Sequence, residues 1–84
     1  MTTLYFLVKT DTSTGKKKRV YLDGVPCSIS KEDVQFSMRK MNIKFNPTYT
    51  YEVVEGAEEA GKYEPCDEKW NRLFNQQLAL ISTK

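Results

Sequence analysis

Eighty-four residues with a net charge of +2, two cysteines and no histidine make one small α+β domain spanning residues 1–84. Without histidine no Ser-His-Asp or Cys-His arrangement is possible, two thiols are too few for a zinc site, and no apolar run approaches the roughly 20 residues of a membrane span. A chain this short buries only about 60–65% of the surface it exposes when unfolded, so its core must be thin.

In chain order, residues 3–9 read as a strand. Leu4, Phe6 and Val8 fall on one side and Tyr5 and Leu7 on the other, a two-sided apolar pattern that suits a central strand. A polar cluster around Gly15 leads into residues 17–23, with Val20 and Leu22 on one face and Arg19 and Tyr21 on the other; the two segments form a hairpin. Asp23-Gly24 ends the second strand, and Pro26 prevents simple continuation.

Ser30 is a natural N-cap, Asp33 stands at N3, and Ile29 and Val34 are spaced for a hydrophobic staple. With Val34, Met38 and Met41 on one face, the spacing predicts a helix over 31–42, stopped at Asn42 and broken by Asn46-Pro47. Residues 48–54 alternate, with Tyr49, Tyr51 and Val53 on one face. Residues 55–62 are acidic, bounded by glycines and without apolar periodicity, which predicts an exposed loop. Trp70, Leu73, Phe74, Leu78 and Ile81 then trace the largest apolar stripe, on a helix over 67–81 whose first turn carries Asp67 and Glu68 at the positive end of the dipole. The expected fold is β-β-α-β-α, a three-stranded sheet of order 2-1-3 with both helices packed on one face. The opposite face then exposes Tyr5, Leu7 and Tyr21.

Charge is segregated: residues 1–50 hold nine Lys and Arg against four Asp and Glu, and residues 51–84 hold four against seven. The run Lys16, Lys17, Lys18, Arg19 on the hairpin is the candidate nucleic-acid contact, with Tyr5 and Tyr21 nearby as stacking platforms. Against that reading, successive strand residues point to opposite faces, and edge lysines also serve to prevent aggregation. Ser13-Thr14-Gly15-Lys16 lacks the first glycine of a phosphate-binding loop. The carboxylate pairs Glu32/Asp33, Glu58/Glu59 and Asp67/Glu68 suit helix starts and a solvated loop rather than acid–base catalysis. No enzyme, cofactor or metal is expected.

These features point to a non-catalytic binding or regulatory module whose partner is another protein. The candidate contacts are Tyr5, Tyr21, Glu55, Glu58 and Glu59. The profile is that of small accessory or inhibitor proteins, including those of phages and mobile elements. The alternatives are a nucleic-acid-binding domain using the basic hairpin and, more remotely, a small histidine-free enzyme. Cys27 and Cys66 lie in no metal pattern; a disulfide between them is one reading, and two free thiols of a reducing, cytoplasmic compartment are the favoured one. The first residues carry neither a basic segment nor a long apolar one, which argues against a signal peptide.

Overall fold

The computed structural model describes residues 3–82. Its elements are β1 (Tyr5–Asp11), β2 (Lys17–Val20), α1 (Lys31–Phe45), β3 (Tyr49–Glu55), a 3-10 helix (Ala57–Lys62), β4 (Glu64–Pro65) and α2 (Glu68–Ser82). The sheet order is β3-β1-β2-β4, with β1 antiparallel to both neighbours and β4 parallel to β2. The α+β class, the element order and the central place of β1 are as the sequence predicts. The strand count is corrected from three to four, because residues 64–65 add a short rung beside β2.

The placement of the helices is also corrected: they lie on opposite faces, not on one. Leu7, Val20, Leu22 and Tyr51 pack with Val34, Met38 and Met41 of α1. Leu4, Phe6 and Val8 pack with Trp70, Phe74, Leu78 and Ile81 of α2. The cause is β1 itself. A strand apolar on both sides must be covered twice, and a single helical layer would leave Leu7, Val20 and Tyr51 in water.

The connections are fixed locally. In the first hairpin the Asp11 carboxylate accepts from the Ser13 amide and hydroxyl at 2.9 and 2.6 Å, and Gly15 takes a positive φ of 76°. After β2, Asp23 and Gly24 both have positive φ, 48° and 84°, while Leu22 and Val25 exchange backbone hydrogen bonds of 2.8 and 3.1 Å. Asp-Gly suits this tight turn because glycine takes left-handed φ without a steric cost.

Ser30 caps α1 as expected, its hydroxyl accepting from the Asp33 amide at 3.3 Å. The predicted staple is not built: Val34 is buried but Ile29 is 61% exposed. Asn42 does not stop the helix, which continues to Phe45. Its side chain instead bridges to the edge strand, donating to the Tyr51 carbonyl at 3.0 Å and accepting from the Tyr51 amide at 2.7 Å. The amide of Asn42 thus acts as one rung of a missing neighbour strand and shields the β3 edge from pairing with another chain. Asn42→Ala should leave both backbone groups unpaired at a half-buried position and cost about 1–3 kcal/mol. A urea midpoint equal to wild type would show that water replaces the bridge at no cost.

Asp67 caps α2, accepting from the Trp70 amide at 2.9 Å and from the Tyr21 hydroxyl at 2.6 Å. Leu73 lies at the margin of the stripe, half-buried beside Tyr21 and Asp67. Among the described residues no helix is long and apolar enough to cross a membrane.

Candidate docking surface

The basic run does not form one patch. Lys17 turns toward the α2 side and pairs with Glu52 at 3.4 Å. Arg19 turns into the core and is 6% exposed. Its guanidinium lies 4.5 Å from the Trp70 ring centre, Nη1 donates to Asn71 Oδ1 at 3.0 Å, and Nε has no hydrogen-bond partner. Desolvation pushes its pKa below the usual arginine value. As a candidate nucleic-acid contact Arg19 is therefore corrected to a core residue. Lys16 and Lys18 remain exposed near Lys9.

Tyr5 and Tyr21 are not brought together either. Tyr5 packs with the α1-side cluster and Tyr21 with the α2-side cluster. The register explains this correction: Leu7 sits opposite Val20, so Tyr5, Leu7 and Val20 share a face, while Tyr21, one residue on from Val20, takes the other. The hydrogen bond to Asp67 pushes the Tyr21 phenol up to about 12 and holds the Asp67 carboxyl below its ordinary range.

The acidic segment forms a 3-10 helix anchored on the core, not the exposed loop its composition predicts. Ala60 is buried, and Ala57 and Tyr63 pack on the α2-side core. Glu59 pairs with Lys62 at 2.9 Å, while Glu55 and Glu58 are exposed. Of the five predicted protein contacts, the register places only Tyr5 and Glu55 side by side.

Sequence reasoning missed the outer face of α1. Phe36 is 60% exposed and Ile43 85%. They are seven residues apart, hence on one side of the helix, opposite the core-facing stripe of buried Val34 and half-buried Met38 and Met41. Val25 and Ile29, just before the helix, are exposed as well. Val25 and Phe36 line one cleft of about 270 Å³, together with Leu22, Cys27, Asp33 and Ser37. Lys40 Nζ lies 5.3 Å from the Phe36 ring centre. The second half of α1 carries Arg39, Lys40 and Lys44, none of them in an ion pair among the described residues.

Both cysteines are free. Cys27 is buried, which pushes its thiol up to about 11, and Cys66 is exposed. Among the described residues no group of three or more Cys, Asp or Glu side chains is placed to hold a metal ion. Compared with known proteins, the chain matches no family model, no curated protein and no solved structure.

Proposed function

We propose that this chain is a non-catalytic, intracellular accessory module that binds another protein through the outer face of α1. The observation that carries the reading is Phe36, an aromatic side chain standing 60% exposed over a concave cleft. Leaving a side chain of this size in water forgoes about 1.5–3 kcal/mol of burial energy. Val25 lines the same cleft, Ile43 stands further along the outer face of α1, and Ile29 is exposed just before the helix; exposed apolar surface with a polar rim is the mark of a protein interface. The surface is mixed in charge: Asp23 and Asp33 line the cleft itself, and Arg39, Lys40 and Lys44 follow along the second half of the helix. It favours a partner segment that places an apolar side chain in the cleft between Val25 and Phe36 and acidic groups along the second half of α1. Two thiols left unpaired fit a reducing compartment.

Affinity capture from the source cell tests the reading when wild type is run beside Phe36→Ala/Ile43→Ala and Glu58→Lys/Glu59→Lys. A protein held by wild type and the glutamate variant, and lost from the α1 variant, supports it. A protein lost only from the glutamate variant moves the interface to the acidic segment and overturns it.

A further inference from the structure

Lys9 of β1 and Lys18 of β2 sit directly opposite one another on one face of the sheet. Like charges in that position repel, and each such pair lowers sheet stability. Protection of an exposed edge does not account for the pair, because β1 and β2 are the two inner strands. Lys16, from the hairpin turn, joins them around a cleft of about 330 Å³ that also holds Asp11, Thr14 and Tyr49. Lys9 Nζ lies 4.4 Å from the Tyr49 ring centre, which holds the ammonium beside the cleft wall. Neighbouring Lys17 has a carboxylate partner, but among the described residues none of these three lysines forms an ion pair. Two acids stand near. Asp11 accepts from the Ser13 amide and hydroxyl, and Glu64, opposite Lys18 on β4, lies beyond ion-pair distance.

We propose that the Lys9–Lys16–Lys18 cleft binds phosphate groups, presented either by a nucleic-acid strand or by a free polyphosphate such as a nucleotide. Three ammonium donors in a concavity concentrate positive potential, and lysine binds phosphate as a point charge. Tyr49, half-buried with Lys9 over its ring, forms an aromatic wall of the same cleft. This site shares no lining residue with the cleft beside Phe36, so it stands or falls independently of the protein-binding reading.

The test compares wild type with Lys9→Gln/Lys18→Gln and with Lys17→Gln/Lys69→Gln, which removes the same charge outside the cleft. The probes are tripolyphosphate and a short oligothymidylate, titrated at several salt concentrations. Thermal midpoints of the unliganded proteins show that each variant is folded, and relief of repulsion should leave the cleft variant at least as stable as wild type at low salt. Wild type should bind, the cleft variant should lose about tenfold or more, and its slope of log affinity against log salt for the oligonucleotide should shrink by about 1.4. The control pair should keep most of the affinity. Binding of the oligonucleotide in preference identifies a nucleic-acid strand as the source, and binding of tripolyphosphate alone identifies a free phosphate compound. Equal loss in both variants, or no binding of either probe by wild type, overturns the proposal.

Discussion

Replacing Trp70 by alanine should cost about 3–5 kcal/mol, enough to leave the domain largely unfolded at physiological temperature. The residue is fully buried and lies at the meeting point of three elements. Its ring stacks on Phe74 at 4.9 Å, with Phe6 edge-on at 5.9 Å and the Arg19 guanidinium at 4.5 Å. Its Nε1 donates to the Val20 carbonyl at 3.0 Å, tying α2 to β2. Alanine removes the ring, opens a cavity and strands that carbonyl at once. Trp70→Phe separates these effects, since it keeps most of the stacking area and loses the hydrogen bond, worth about 0.5–1.5 kcal/mol. Urea denaturation of both variants checks the ordering. A Trp70→Ala midpoint near wild type would show that α2 is not part of the stable core.

The second large effect is expected at Arg19, where two substitutions should give opposite results. Arg19→Ala removes the stem that covers Trp70 and a desolvated cation–π contact worth about 2 kcal/mol or more, and it also unpairs Asn71. Arg19→Met keeps an unbranched side chain over the indole and removes a buried charge that has no carboxylate partner and an unsatisfied Nε. Replacing buried charge by apolar volume is often neutral or stabilising, so the methionine variant should fall within about 1 kcal/mol of wild type or above it. Urea midpoints of the two variants give the comparison. If both fall equally, the charge itself is structural through an interaction beyond the Trp70 and Asn71 contacts.

Much of the scaffold was legible because it rests on local chemistry. The two-sided pattern of Leu4 to Val8 marked the central strand, Ser30 marked the start of α1, and Trp70 with Phe74 marked the buried face of α2. What was not legible depends on pairing between distant residues. The Leu7–Val20 register separates Tyr5 from Tyr21, and no local periodicity encodes it. β4 is two residues long and includes Pro65, so it has neither alternation nor composition to announce a strand. Arg19 is hidden in a lysine run, and only the position of Trp70 shows that it is core. The outer face of α1 was readable in principle. Phe36 and Ile43 recur at i and i+7, a second apolar pair on the side of the helix opposite Val34, Met38 and Met41.

The proposed interface is the solvent-facing side of α1. The most direct measurement is a titration of the captured partner against wild type and Phe36→Ala, with the contact mapped by backbone NMR shifts. Phe36 is exposed, so its removal should change stability by no more than about 0.5 kcal/mol. As a central aromatic anchor its loss should weaken binding by about 2 kcal/mol or more, roughly thirtyfold, mostly through faster dissociation. Shifts should concentrate on Val25, Phe36, Lys40 and Ile43. An unchanged affinity for Phe36→Ala, with shifts confined to the segment around Glu55 and Glu58, would contradict the account.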